Sequence, residues 1–473
     1  MRSPDERLAL RGSAWNLAGI CLVASIGGLL FGFDTAVISG TFGFVERLYN
    51  LSKLEVGWFG SSALVGCILG AAVAGTLSDR FGRKPILILA AVFFFVSALY
   101  STIPPTFQVL IWARIVGGVG VGMASVLAPM YISEFSPPRL RGRLVALYQL
   151  SIVIGILAAY FSNWLLLRFA QTHSHSFGGN GWLHWTMVAE VWRGMFGAEM
   201  IPAAFFFFLL FFMPESPRWL VKAGDSRQAL AILARVSGLE VARQEMAEIQ
   251  DAMAHEGGSI AELFKPGLRM ALIVALGLSI FGQMTGVNIV VYYGPTILEA
   301  AGLTLGSALQ YQVTLGLINL IFTLIALWKV DSWGRRPLLV WGMAVVALSM
   351  GATALLLLCA APAVWIVLLL CLYMGCVSVS ICAVIWIITP EIFPNRIRGR
   401  AMSIAIFANW TTNTASAFLF PWYVEKFGMH AGFFTFAAIC CAATVFFWRL
   451  VPETKGKSLE EIERHWLPTD SHC

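Results

Sequence analysis

Asp79-Arg80-Phe81-Gly82-Arg83-Lys84 returns in the second half of the chain as Asp331-Ser332-Trp333-Gly334-Arg335-Arg336. A second string, Glu134-Phe135-Ser136-Pro137-Pro138-Arg139-Leu140-Arg141-Gly142-Arg143, returns at nearly the same spacing as Glu391-Ile392-Phe393-Pro394-Asn395-Arg396-Ile397-Arg398-Gly399-Arg400. Two strings repeating together mean that the chain is an internal duplication. Each lies between apolar runs of spanning length, so the duplicated element is a bundle of membrane helices.

Composition agrees. The 473-residue chain is 58% hydrophobic and 12% charged, with a mean hydropathy of +0.77, far outside the soluble range. The formal net charge of +6 does not point to nucleic acid, because the basic residues fall in short loops and form no single exposed face. Eight of the nine cysteines (Cys21, Cys67, Cys359, Cys371, Cys376, Cys382, Cys440 and Cys441, leaving Cys473 at the tail) sit in apolar stretches, where they act as small hydrophobes. The sequence carries no disulfide framework or zinc spacing, and no cofactor is implied. Residues 1–11 are charged and lead into a long span without a small-residue cleavage site, which reads as an uncleaved first helix.

Apolar runs of about twenty residues or more fall near 15–44, 56–77, 85–103, 108–131, 145–168, 196–213, 270–300, 308–329, 338–358, 362–388, 401–423 and 431–450. An even number of spans puts both termini on one side. Arg80, Arg83 and Lys84, then Arg139, Arg141 and Arg143, then Arg335 and Arg336, then Arg396, Arg398 and Arg400 occupy alternate loops. The intervening loops hold only Arg47, Lys53, Arg168, Arg193 and Lys426. The positive-inside rule therefore predicts cytoplasmic termini in a multi-pass cell-membrane protein. The expected organisation is all-α: six-helix bundles at 1–213 and 269–451, a cytoplasmic helical linker at 214–268 and a tail at 452–473. In the linker Asp225 reads as a helix N-cap and Ser259-Ile260-Ala261-Glu262 as a capping box, and Ser458-Leu459-Glu460-Glu461 repeats that device in the tail.

The seventh run is irregular: Phe281-Gly282-Gln283-Met284-Thr285-Gly286-Val287-Asn288-Ile289-Val290-Val291-Tyr292-Tyr293-Gly294-Pro295 interrupts an apolar segment with amides, glycines and a proline. A regular helix sets Gln283 and Asn288 about 140° apart, so a break near Gly286 is expected to bring both to one cavity. Discontinuous helices mark binding sites in secondary transporters, and buried amides also serve as glue between helices; the stretch alone leaves both readings open. Two charges stand out inside the runs, Asp34 and Arg114. Each alone costs about 2.5–3.5 kcal/mol near the bilayer centre. They lie about 15 and about 10 Å from the outer ends of the first and fourth runs, so they can meet. A proton-binding carboxylate, a static ion pair and an Arg114 that snorkels outward all fit this placement.

Gly75-x-x-x-Asp79-Arg80-x-Gly82-Arg83-Lys84, Pro214-Glu215-Ser216-Pro217-Arg218-Trp219-Leu220 and Pro452-Glu453-Thr454-Lys455-Gly456 resemble, in order and spacing, the marks of the sugar porter family of the major facilitator superfamily. The resemblance runs from the first helix to the tail. It implies a major facilitator fold, alternating access with a substrate path between the bundles, and no enzymatic step. The Asp34 and Arg114 positions resemble those of bacterial proton/sugar symporters, in which the matching acid takes the coupling proton beside the matching arginine; passive animal facilitators carry Asn at the acid's place. Carried over by motif, the sugar ligands would be Gln149, Gln283, Asn288, Asn319, Trp386, Asn409 and Trp410, with Phe31 and Tyr292 lining the cavity. Amides donate and accept together and an indole covers the apolar ring face, although the tryptophans also fit ordinary packing and Asn319 fits interhelical glue.

A cytoplasmic gate would comprise Asp79, Arg83, Glu134, Arg141, Arg143, Glu215 and Arg218 in the first half, and Asp331, Arg335, Arg336, Glu391, Arg398, Arg400 and Glu453 in the second. Its guanidinium groups can pair with Glu134 and Glu391 or satisfy helix C-terminal carbonyls; topology alone would explain the arginines but not the matched acids. Three departures bear on the pocket. Gly282 stands where many family members have the first of two glutamines, Ile156 where one symporter has another, and Ser380-Ile381-Cys382-Ala383 replaces a Gly/Pro-rich break, which predicts a less flexible tenth helix. Gly117-Gly118-Val119-Gly120-Val121-Gly122 looks like a phosphate loop but has no preceding strand, and reads as close helix packing. His173, His175 and His184 lack a carboxylate or cysteine framework, so no metal site is expected. The expected function is proton-coupled symport of a hexose or pentose, with sugar, proton and lipid bilayer as partners and a monomer as the working form. A passive facilitator, a polyol or inositol symporter and a non-transporting sensor are the alternatives.

Overall fold

The computed structural model describes residues 13–137, 140–173, 181–254, 260–265 and 268–455. Its helices are α1 (Ala14–Val37, extended by the 3-10 turn Ile38–Gly40), α2 (Phe42–Tyr49), α3 (Lys53–Phe81), α4 (Arg83–Thr102), α5 (Phe107–Phe135), α6 (Arg141–Thr172), α7 (Val191–Gly197), α8 (Met200–Phe211), α9 (Pro217–Lys222), α10 (Ser226–Ser237) and α11 (Leu239–Ala254). They continue as α12 (Leu268–Met284), α13 (Val287–Ala300), α14 (Leu305–Trp333), α15 (Arg335–Leu358), α16 (Ala363–Val377), α17 (Ala383–Glu391), α18 (Asn395–Phe427) and α19 (Met429–Leu450). Eleven candidate spans among the described residues are long and apolar enough to cross a membrane. The remaining apolar run, 401–423, lies in α18, which is long enough but is diluted by Asn409-Trp410-Thr411-Thr412-Asn413-Thr414. Its polarity is concentrated on residues that bond other buried groups, as shown below.

The chain forms two compact units: Met1–Asp34, Gly66–Ile156 and Phe196–Glu256 make the first, and Thr35–Val65, Leu157–Met195 and Gly257–Cys473 the second. In the first unit, glycines let helices touch backbone to backbone. A Cβ on Gly32 of α1 would fall 1.9 Å from the Ile152 carbonyl oxygen of α6, and one on Gly155 of α6 would fall 2.0 Å from that of Leu29. Gly66, Gly70 and Gly122 do the same for α3 against α5, at 2.1 Å, 2.2 Å and 2.3 Å from the carbonyl oxygens of Ile115, Val119 and Cys67. The glycine-rich 117–122 stretch is thus a packing surface inside a long helix. On its polar side, Asp225 Oδ1 accepts the Gln228 N–H at 3.0 Å and starts α10. Leu220, Ala229 and Met246 bury the apolar faces of α9, α10 and α11 together. Ser259 of the expected capping box and the tail box at 458–461 lie outside the described residues.

In the second unit the seventh span breaks where the sequence predicts. Gly286 has φ +85°, a left-handed conformation that glycine adopts without a Cβ penalty. The freed Thr285 carbonyl accepts the Tyr373 hydroxyl at 3.1 Å, and the Thr285 hydroxyl donates to the Gly282 carbonyl at 2.8 Å. Tyr293 of α13 is sealed among aromatics: its ring stacks on Phe42 at 4.5 Å and lies 5.3 Å from Phe420, and its hydroxyl donates to the Ala417 carbonyl at 2.8 Å. The tenth span differs from expectation. It is interrupted by a π-helical turn at Ser378–Cys382, although no Gly or Pro lies there. At the turn Ser378 and Ser380 donate to the carbonyls of Met374 (2.6 Å) and Cys376 (2.7 Å). Hydroxyls that bond back onto the preceding turn bend helices, and π-turns cluster at functional sites.

Candidate functional site

The first unit holds a buried charge cluster. Arg114 Nη1 donates to Asp34 Oδ1 at 2.5 Å and Nη2 to the Asp34 carbonyl at 3.0 Å, while the guanidinium lies 5.3 Å from the Phe196 ring. The two side chains are 0% and 1% exposed. To the two intramembrane charges that stand out in the sequence, Asp34 and Arg114, the structure adds a third beside them, Glu199. Glu199, 0% exposed, sits in the turn before α8 within electrostatic reach of both Asp34 and Arg114. It falls inside the apolar run 196–213, where a count of acids is enough to find it. Cys67 of α3 is also near this group. Phe31, one turn before Asp34 on α1, and Gln149 on α6 are half-buried. A Cβ on Gly28 of α1 would fall 2.8 Å from the carbonyl oxygen of Tyr148, Gln149's neighbour.

At the far end of the same unit the Arg83 guanidinium donates to Asp79 (2.8 Å), to the Ser78 carbonyl (3.0 Å) and to both Glu134 oxygens (3.2 and 3.4 Å). Glu134 also accepts the Ser216 hydroxyl, and Asp79 pairs with Lys222 at 3.0 Å. Glu215 caps α4, accepting the backbone N–H groups of Arg83 (3.0 Å), Lys84 (3.3 Å) and Ser216 (2.7 Å). Burial pushes its carboxyl above the ordinary value, against those bonds, which pull it down. Arg141 and Arg218 line a cavity with Glu134, Glu245 and Glu248, whereas Arg143 is exposed.

The second unit repeats the device. Glu453 accepts the N–H groups of Arg335 and Arg336, both at 3.1 Å, and so caps α15. Arg335 reaches Glu391 at 3.5 Å. Arg398 turns instead to the Phe393 carbonyl at 3.2 Å, and Arg400 is exposed. The Asp331 side chain lies outside the described residues.

The amides of the second unit form a chain. Asn288 Nδ2 donates to Gln283 Oε1, and Gln283 Nε2 donates to Asn409 Oδ1 at 3.1 Å. The Gly286 break is what lets the first two meet. Asn409 Nδ2, buried, has no partner among the described residues. Asn319 Oδ1 accepts the Ser378 hydroxyl at 2.8 Å, tying α14 to the π-turn. Asn413, which the sequence reading did not single out, donates to the Tyr292 hydroxyl at 3.1 Å. It lies one helical turn from Asn409, a spacing that a search for amides on one face would catch. Trp410 is 6% exposed and Trp386 is 43% exposed, so only the second offers an open ring face. A Cβ on Gly282 would meet Ile381 and Ile385 of the tenth span, both at 3.4 Å, so aliphatic side chains occupy the place of the absent amide.

The family profile described as "Sugar (and other) transporter" matches residues 20–466. The chain belongs to the sugar transporter family. The arabinose-proton symporter of Bacillus subtilis is 40% identical over 452 residues, covering 95% of this chain and 94% of the relative. The D-xylose-proton symporter of Escherichia coli strain K12 is 37% identical over 481 residues, covering 95% of each. Among solved structures, the partially occluded inward-open form of the E. coli xylose transporter XylE matches with a TM-score of 0.82 at 35% identity, over 94% of this chain and 100% of that one. The same transporter bound to 6-bromo-6-deoxy-D-glucose, described as a major facilitator superfamily proton:xylose symporter, matches at 0.78 with 36% identity, over 96% of this chain and all of that one. The fold of this sugar transporter family member is therefore the major facilitator fold, and the chain is a multi-pass membrane protein.

Proposed function

We propose that this sugar transporter family member is a proton-coupled symporter of a monosaccharide, a pentose or a hexose, working by alternating access of two six-helix bundles at 1–213 and 269–451. The observation that carries the coupling is the charge count at the buried cluster. Asp34, Glu199 and Arg114 sum to one net negative charge when both carboxyls are ionised, and a site buried from bulk solvent holds that excess at high cost. One proton shared by the carboxyls balances it. Loading that proton weakens the hold of Arg114 on Asp34. Because α1 touches α6 through Gly28 and Gly32, a shift at Asp34 moves the backbone on either side of Gln149. The names of the arabinose-proton and D-xylose-proton symporters support the same reading.

Sugar hydroxyls would be taken by Gln149, Gln283, Asn288 and Asn409, whose amides both donate and accept, with Trp386 as the stacking ring and Asn319, Trp410, Phe31 and Tyr292 as the surrounding wall. The Arg83–Glu134 and Arg335–Glu391 pairs, with the Glu215 and Glu453 caps, would latch the cytoplasmic end. The Arg335–Glu391 pair, 12% and 26% exposed, is partly wet and suits a latch that has to open, whereas Arg83 and Glu134, 7% and 6% exposed, form a buried pair that costs about 3–5 kcal/mol when one partner is removed. On this reading both termini are cytoplasmic, lipid surrounds a monomer, and no step is enzymatic. Uptake by proteoliposomes with and without an imposed pH gradient is the test. Asp34→Asn is expected to abolish uphill accumulation while sugar exchange continues, and accumulation that survives the substitution refutes the coupling role.

A further inference from the structure

Ser97 Oγ, Ser101 Oγ and Arg114 Nε are buried and have no hydrogen-bond partner among the described residues, and the Asp34 and Glu199 carboxyls beside Arg114 lie within hydrogen-bond reach of each other. Ordinary serines and threonines of this chain satisfy themselves on the preceding turn, as Thr102 does at the Ala98 carbonyl (2.7 Å) and Ser133 at Met130 (2.7 Å). Ser97 and Ser101, each 1% exposed, do not, and neither do the buried Ser25, Ser39 and Ser349 elsewhere among the described residues. Ser97 and Ser101 stand one turn apart on the same face of α4.

That face looks at the charge cluster. A Cβ on Gly117 would fall 2.3 Å from Ser97 Oγ and 3.6 Å from Asp34 Oδ1, so the bare glycine leaves the hydroxyl and the carboxylate beside one shared space. α4 and α5 run antiparallel, and Gly120 at Phe94 and Gly117 at Ser97 set their register. The next step brings Ser101 to the level of Ala113 and Arg114. One residue on, Thr102 Oγ1 lies 3.1 Å from where a Cβ of Gly197 would stand, two residues before Glu199. Unpaired donors and acceptors at this spacing are what buried water bonds to, two to four partners at a time.

We propose that a file of buried water runs along α4 from the Asp34 and Glu199 carboxyls past Ser97 and Ser101 to the Thr102 end, and that the coupling proton arrives by it through the first unit's own helices. α4 begins at Arg83 in an arginine loop and ends at Thr102, so the file opens on the opposite, outward side. Each hop breaks one O–H bond and forms another, from hydronium through water and serine hydroxyls to a carboxylate, with no further reactant. Among the described residues, Cys67 on α3 is also near the cluster, and Tyr148 on α6 lies beyond it. The file gives proton and sugar separate approaches.

This inference rests on the symport reading. The test compares full-length Ser101→Val and Ser101→Thr, equal in shape and different only in the hydroxyl, in proteoliposomes. Internal pH, proton-driven accumulation and sugar exchange at equal pH are recorded together. The Val variant is expected to lose about tenfold in proton influx and driven uptake, the worth of one hydrogen bond to the moving proton, while Thr behaves as the parent and both exchange sugar normally. Val and Thr variants that are alike, whether both active or both impaired, overturn the file, because only packing is then at work. A parent that exchanges sugar but admits no proton refutes the symport reading itself, a result that the parent alone reveals.

Discussion

Replacing Gly57 by Ala tests whether closure of the seam around Tyr293 is part of the transport cycle. A Cβ at Gly57 of α3 would lie 2.0 Å from the Phe418 carbonyl oxygen of α18, 3.0 Å from its carbon and 3.4 Å from its Cα. All three atoms are backbone, so no rotamer change relieves the clash. An ordinary carbon–oxygen contact is about 3.3 Å, so α3 and α18 have to part by about 1 Å. A gap of that size forfeits a quarter to a half of the dispersion energy along the seam, and overpacking of this kind costs about 1–3 kcal/mol. Gly60, where a Cβ would fall 2.3 Å from the Tyr293 hydroxyl, would feel the same displacement. If the seam closes in one of two alternating states, that cost shifts their ratio by about 5–150-fold. Sugar exchange in proteoliposomes should fall by a comparable factor, with Gly57→Val lower still. Equilibrium sugar binding should persist, because the amides lie elsewhere. Exchange at the parent rate in a monodisperse Gly57→Ala protein would refute the reasoning.

Gly286→Ala forces a side chain into φ +85° and against the Phe436 ring at 3.2 Å, a cost of about 1–2 kcal/mol; sugar affinity, read by titration, is expected to fall about tenfold while the proton:sugar ratio holds. Asp34→Asn leaves Arg114 with Glu199, and Glu199→Gln leaves it with Asp34, so each alone is tolerated. The double substitution strands a buried guanidinium and should cost about 3–5 kcal/mol, seen as a melting loss well beyond the sum of the two singles. Burial, with Glu248 adding to it, pushes the Glu245 carboxyl above its ordinary value. Its folded value is the higher one, so its contribution is present below the unfolded value and is lost as pH rises through the folded one. Glu245→Gln should therefore raise the melting midpoint at neutral pH and flatten its change toward about pH 5.

The repeat and the spans were legible because lipid imposes length and apolarity, and the arginine loops sit outside it. The break at Gly286 was legible for a related reason: a glycine between two amides in an apolar run has few other uses. The π-turn was not. Glycine and proline are the breakers that sequence reading looks for, whereas at this turn Ser378 and Ser380 bond to the carbonyls of Met374 and Cys376, which only three-dimensional structure reveals. α18 shows the converse, since the amides and threonines that lower its apolarity include Asn409 and Asn413, which meet Gln283 and Tyr292.

The two buried polar groups of this transporter also differ in a way that bears on their work. Asn288, Gln283 and Asn409 are neutral amides joined by two hydrogen bonds, and Asn409 Nδ2 at the end of the chain has no partner among the described residues. Such a chain can exchange partners with sugar hydroxyls at little cost, because every bond lost is replaced in kind. Around Asp34 the opposite holds: one guanidinium faces two carboxyls. Neutral sugar cannot satisfy an excess negative charge, but a proton can. The first arrangement suits recognition and the second suits coupling. On the symport reading proposed above, Glu199 is therefore as informative as Asp34, since a lone Asp34–Arg114 pair is already neutral and the third charge would give the proton a reason to bind.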